Sequence, residues 1–197
     1  MDERKKHELD KKFEELFHTF SNEKFFNEPP IMGELPFYIF PYDPVYEEKV
    51  NDLIISLVKR LSTKGLNVSD VPLFQLCVSL LENQNLLEKV VEREPSFSKE
   101  VFLHNIQNPL NANTTIPTAI RNQIEKEIPK IIFIRETGAV FPFIRTHNLL
   151  NNLHSIPGEI PLVLFFPGRY DNVRMRLFGQ MSDDNYYRAY NLQDFKL

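Results

Sequence analysis

Glycine is scarce in this chain, at 6 of 197 residues, and those present form neither a GxGxxG turn nor a GxxxxGK[ST] loop. The two common backbone cradles for nucleotide phosphates are therefore absent. Cysteine is scarcer still: the single Cys77 excludes an internal disulfide framework and suits a reducing compartment. No run of about 18 apolar residues occurs. The first residues alternate acids and lysines with no apolar h-region, so neither a membrane span nor a signal peptide is expected, and the cytoplasm is the expected compartment. A formal net charge of −4 withholds the broad basic face that binding to a phosphate backbone requires, which disfavours direct DNA binding. HExxH, CxxC and GxSxG are missing as well, so no metal ligands, nucleophile or cofactor site can be assigned.

What is present is the composition of a globular protein, 42% hydrophobic and 25% charged, with 14 prolines spread over element boundaries. A chain of 197 residues can bury a core without disulfides, and residues 1–197 read as one α/β domain. Residues 1–22 carry an amphipathic helix with Leu9, Phe13, Leu16, Phe17 and Phe20 on one side. Packing of that stripe on its own domain is favoured over partner binding. Residues 36–42 (PFYIFPY) read as a first strand. Asp43 and Pro44 then start a helix whose stripe of Val50, Leu53, Ile54, Leu57 and Leu61 runs until Gly65. Residues 66–68 read as a short second strand, and Pro72 opens a helix that places Cys77 in an apolar stripe.

Residues 85–128 are helical in pattern, interrupted at Pro95, at residues 108–113 and at Pro117, and form a helical insertion. Residues 130–134 (KIIFI), a helix from about 140 to 153 and residues 161–166 make a β-α-β unit. Near-continuous apolar strands alternating with helices predict a mostly parallel central sheet covered by helices, Rossmann-like but without a phosphate-binding loop. The alternation in residues 173–178, with residues 187–190 beside them, predicts an antiparallel C-terminal edge.

Ligands and partners of open α/β sheets bind beyond the carboxyl ends of the strands. A candidate rim there comprises Asp43, Arg135, Glu136, Gly138, Arg145 and His147, with Arg169 and Tyr170 from the last long strand. Gly138, at the expected start of a helix, would offer N–H donors to an anion, although ion pairing within the rim is the favoured account of these charges. His147 and His154 lie two helical turns apart, which suits hydrogen-bonded structural histidines better than a zinc pair.

The terminal hairpin differs in kind. With Val173, Met175 and Leu177 turned inward, Arg174 and Arg176 share the outer face, joined by Arg169 and Arg188, with Tyr186, Tyr187 and Tyr190 beside them. Forked guanidiniums and tyrosines are the composition of a protein-binding hot spot. Pairing of these arginines with Asp171, Asp183 and Asp184 is the alternative.

Residues 136–153 (ETGAVFPFIRTHNLLNNL), 161–171 (PLVLFFPGRYD), 177–179 (LFG) and 185–192 (NYYRAYNL) resemble the BrxB family, and residues 35–44 (LPFYIFPYDP) fit it too. The likeness is carried by Gly138, Pro142, Arg145, His147, Pro167, Gly168, Tyr170, Phe178, Gly179, Tyr186, Tyr187 and Arg188; the helical insertion adds little. The resemblance implies a component of BREX, the bacterial phage-defence systems that mark host DNA by methylation and block phage replication. It implies no reaction, cofactor or metal; the methyltransferase, the ATPase and the phosphatase-superfamily protein PglZ are other members of such systems. The resulting expectation is a non-enzymatic adaptor or assembly factor that binds another BREX protein, PglZ first. Its candidate contacts are Arg169, Tyr170, Arg174, Arg176, Tyr186, Tyr187 and Arg188. The alternative is a nucleotide or nucleic-acid binder using the rim around Gly138 and Arg169.

Overall fold

Apolar residues run almost unbroken through three segments of the chain, which in the computed structural model become the middle of a sheet. The structure describes residues 3–27, 36–153, 160–182 and 189–195. In chain order the helices α1 (Glu3–Phe20) and α2 (Lys24–Asn27) precede strand β1 (Phe37–Tyr42). Helix α3 (Glu47–Thr63) leads to β2 (Val68–Pro72), and α4 (Leu73–Asn83), α5 (Leu87–Arg93), α6 (Lys99–Gln107) and α7 (Thr115–Glu127) lead to β3 (Ile131–Arg135). Then come α8 (Thr146–Leu153), β4 (Leu162–Tyr170), β5 (Met175–Leu177), β6 (Met181–Ser182) and β7 (Tyr190–Asn191).

The sheet runs β2-β3-β4-β1-β7 in parallel, and the β5–β6 hairpin is bonded antiparallel to the far end of β4. The expected α/β fold, mostly parallel sheet and antiparallel C-terminal edge are all present. Burial explains the strand sequences. Every residue of β3 is buried, as is β1 except Pro41, because helices cover both faces. Edge strand β2 instead alternates between partly and fully buried positions.

One face of the sheet is closed by α1, α2 and α3 over an aromatic core, in which Phe13 lies against Phe40 and Phe165, and Phe20 against Phe25 and Phe133. The apolar stripe of the N-terminal helix is thus committed to its own sheet. Phe17, at the margin of that stripe, is only partly buried and carries the Arg60 guanidinium 4.0 Å above its ring, while Arg60 pairs in a bidentate manner with Glu14. The opposite face is aliphatic, with Leu73, Leu81, Ile116, Ile120, Leu149 and Leu153 against Val71, Ile134 and Leu164. Cys77 sits in that second core, as its helical stripe requires, and burial pushes its thiol up to about 12.

Four expectations change. The second strand is Val68–Pro72 and not residues 66–68, because Gly65, at φ +82°, ends α3 and the Leu66 N–H returns to the Leu61 carbonyl. The helix after β3 begins at Thr146 and not near residue 140: residues 138–143 are turns, and Pro142, after a cis Phe141–Pro142 bond, has no N–H to give a helix. Val173 is exposed, since it lies in the turn before β5 where strand alternation does not apply. Tyr190 pairs in parallel with Tyr38 of β1 instead of lying beside the hairpin, and its ring stands near that of Tyr38.

The β4–β5 junction depends on a missing side chain. A Cβ on Gly168 would collide with the Arg176 carbonyl and approach a Phe166 ring carbon at 2.9 Å, so only glycine lets β5 lie this close. Gly168→Ala is expected to cost about 1–3 kcal/mol through overpacking, read as a lower urea midpoint at unchanged slope. Cys77 is expected to ignore a thiol reagent at mildly alkaline pH until urea unfolds the chain; rapid labelling of the native protein would contradict its placement.

Candidate functional site

The loops after β3, β4 and β1 lie side by side because those strands are neighbours, but their charges separate into two groups. The first is an inner network. Arg135 at the end of β3 is buried, its Nε donating to Asp70 Oδ1 at 3.0 Å and its Nη2 to Asp70 Oδ2 at 3.1 Å, while Nη1 donates to Glu136 Oε1 at 2.7 Å. This rim arginine is held in ion pairs. Glu136 adopts φ +63°, a left-handed conformation uncommon for a non-glycine residue, and its buried Oε2 has no partner among the described residues. Thr137 donates its hydroxyl to the Phe165 carbonyl at 3.1 Å, tying the loop to β4.

Tyr42 and Glu47 belong to the same neighbourhood. The Tyr42 hydroxyl donates to Glu47 Oε2 at 2.7 Å, and burial, with the charges of Glu47 and Glu136, pushes its ionisation upward. Burial also raises the Glu47 carboxyl above its ordinary range, Glu136 adding to the rise against the hydrogen bonds from Tyr42 and Asn51.

Gly138 is placed quite differently from its expected role. A Cβ there would lie 2.8 Å from Pro167 Cγ and 3.1 Å from Phe178 Cε1, so the glycine is a seat for the hairpin tip, without a helix start to present N–H groups. Phe178, at φ +53° and followed by Gly179 at φ +72°, reaches back over it to stand edge-on to Phe141 at 6.2 Å. Several residues that carry the family likeness therefore form one packing knot. Tyr170 is another tie, buried with its hydroxyl donating to the Ala189 carbonyl at 2.7 Å.

The second group surrounds an open cleft of about 620 Å³ at the carboxyl ends of β1 and β4. Its lining includes Lys12, Pro41, Tyr42, Asp43, Pro44, Arg169, Asp171, Arg174, Arg176, Phe178, Asn191 and Gln193. Arg169 and Arg176 are directly opposite in the β4–β5 ladder, and both are exposed. Arg169, Arg174 and Arg176 form no ion pair among the described residues. The cleft's acids are occupied otherwise. Asp43 Oδ1 accepts from the Val45 N–H at 3.2 Å, and Asp171 Oδ1 accepts from the N–H groups of Arg174 at 2.7 Å and Val173 at 3.1 Å. Those backbone bonds hold the Asp171 carboxyl below its usual range, with Arg176 and Arg174 adding to the effect through their charge.

Sequence reasoning thus brought Asp43 and the hairpin arginines to one cleft, and Arg135 and Glu136 to a neighbouring network. Arg145 is exposed and lies outside the cleft lining. The His147 side chain, His154, Asp183, Asp184, Tyr186, Tyr187 and Arg188 lie outside the described residues. Reasoning from sequence missed Lys12, Asp70, Glu47 and Gln193. Gln193 donates to the Pro41 carbonyl at 2.6 Å across most of the chain, and nothing local announces such a contact. Among the described residues no group of three or more His, Cys, Asp or Glu side chains is placed to hold a metal ion, and no helix is long and apolar enough to cross a membrane.

The profile of the family described as BREX protein BrxB matches residues 69–192, from β2 to the end of β7. A BREX protein BrxB of Bacillus cereus (strain H3081.97) is 32% identical over 188 residues, covering 94% of this chain and 98% of that protein. A BREX protein BrxB of Escherichia coli O9:H4 (strain HS) is 26% identical over 160 residues, covering 81% of this chain and 79% of that protein. No solved structure matches the chain.

The raised Glu47 carboxyl makes a pH prediction. A carboxyl that binds its proton more tightly when folded stabilises the fold fully below its ordinary value of 4.5, and that contribution is lost as pH rises through the folded value. Glu47→Gln keeps an oxygen for Tyr42 but cannot ionise. Its melting temperature relative to the parent is expected to climb as pH is raised from below 4.5 to neutrality; a difference independent of pH would contradict the assignment.

Proposed function

The chain belongs to the BrxB family and is on that ground a BREX component, and from this premise we propose that it acts as a non-enzymatic adaptor, docking another BREX protein through its C-terminal edge. The observation that carries the proposal is the set of arginines that form no ion pair among the described residues, Arg169, Arg174 and Arg176, beside apolar side chains left in solvent. Val173 is 46% exposed, Met181 39% and Phe178 38%. Guanidiniums interleaved with exposed apolar groups have the composition of an interface core. The N-terminal helix uses Leu9, Phe13, Leu16 and Phe20 to cover its own sheet, which leaves the edge as the stronger surface.

PglZ is the first partner to test. Tyr170 supports the edge from inside, through the core and the Ala189 carbonyl. The nucleotide reading loses the half that rested on Gly138, since Pro167 and Phe178 fill the space beside that glycine.

Co-purification of the tagged chain with the other proteins of its operon is expected to give a stoichiometric complex. Arg174→Glu combined with Arg176→Glu should weaken it more than tenfold, or about 1.4 kcal/mol, at unchanged circular dichroism. Full retention of the partner by that variant would remove the edge as the docking surface.

A further inference from the structure

Two guanidiniums placed directly opposite each other on one strand pair repel, because cross-strand neighbours stand roughly 5 Å apart at Cβ and like charges there are destabilising. Arg169 and Arg176 are in that position. The sheet could have avoided it, yet the arrangement is secured from several sides. Gly168 permits the close approach of β5, Phe178 anchors the hairpin tip over Gly138, and Asp171 fixes the turn through two backbone N–H groups. Arg174, from that same turn, lines the same cleft.

Among the described residues no acidic side chain forms an ion pair with these arginines. Asp171 carries its charge near Arg174 and Arg176 but forms an ion pair with neither; Asp43 caps the turn after β1, and Lys12 is paired with Glu8 at 3.1 Å. A local arrangement that opposes stability while being held by surrounding structure is the mark of a binding function. The cleft is also bounded, at about 620 Å³, which falls within the range of small-molecule sites, and it opens where α/β sheets bind ligands.

We infer that this cleft is a phosphoryl-binding site, in which Arg169 and Arg176, assisted by Arg174, hold the oxyanion of a phosphorylated small molecule. A carboxylate offers two oxygens and satisfies one guanidinium fork, whereas a terminal phosphoryl group offers three oxygens and close to two negative charges. Three forks on one wall fit the second. Pro41, Pro44 and Phe178 supply apolar surface for whatever carries the phosphate. The inference goes beyond the adaptor reading and does not depend on it, since it is tested on the chain alone.

The experiment is calorimetric titration of the full chain with inorganic pyrophosphate, in parallel with succinate and a short single-stranded DNA. Pyrophosphate is expected to bind once per chain, with succinate at least tenfold weaker and DNA no tighter than pyrophosphate. Arg169→Gln and Arg176→Gln should each weaken pyrophosphate at least tenfold while raising the melting temperature of the unliganded protein, because each relieves the cross-strand repulsion. A merely structural pair of arginines would not show that opposition. Absence of binding at millimolar pyrophosphate, unchanged binding by both variants, equal affinity for succinate, or preference for DNA that grows with its length would each overturn the inference. Success with pyrophosphate but no partner in co-purification would remove the adaptor reading and leave this one standing.

Discussion

The parallel pairing of β1 with β4 is the contact on which the rest of the structure depends. Phe37 to Tyr42 lie in register with Leu162 to Pro167, joining the first strand to a strand more than a hundred residues later in the chain. Both strands are buried on both faces, so the aromatic core under α1 and α3 and the aliphatic core under α4, α7 and α8 meet along them. Closing so long a loop is entropically unfavourable, and burial of continuous apolar strands offsets it. The same register aligns the carboxyl ends of the two strands, and without that alignment the cleft would have no walls.

Strand β4 changes character along its length. From Leu162 to Phe166 it is interior, and from Gly168 onward it becomes one side of an exposed hairpin bonded to β5. Pro167 and Gly168 mark the change: Pro167 packs above Gly138, and Gly168 admits the backbone of Arg176. A rigid buried strand therefore delivers a charged hairpin to the rim with little freedom. Gly138 and Gly168 thus stand where ring and backbone must approach closely.

Much of the fold was legible locally. Asp43 before Pro44, the stripe from Val50 to Leu61, the apolar runs of β1, β3 and β4, and the alternation of Met175, Arg176 and Leu177 each announce an element through capping or periodicity. Boundaries failed where tertiary contacts overruled the pattern. Residues 140–145 have helical spacing, but Thr137 is tied to Phe165, Pro142 lacks a donor, and the chain turns until Thr146. Val173 has the alternation of a strand residue but sits in a turn stapled by Asp171. The placement of Tyr190 beside β1 has no local signal, because a two-residue strand owes its position entirely to its neighbour.

By itself the sequence determined the class of the fold, the apolar faces of its helices and the clustering of arginines in one hairpin, since caps, periodicity and strand alternation act over a few residues. Only the tertiary structure decided which charges are paired. Arg135 faces Asp70 because β2 lies beside β3, and Arg169 faces Arg176 because Gly168 lets β5 close onto β4. Arg135 and Arg169 each lie near the end of a strand and look alike in sequence, yet Arg135 is buried in an ion-pair network and Arg169 stands in an open cleft. The physical reason is that Coulomb and desolvation energies depend on distance and burial, and strand order and register set both.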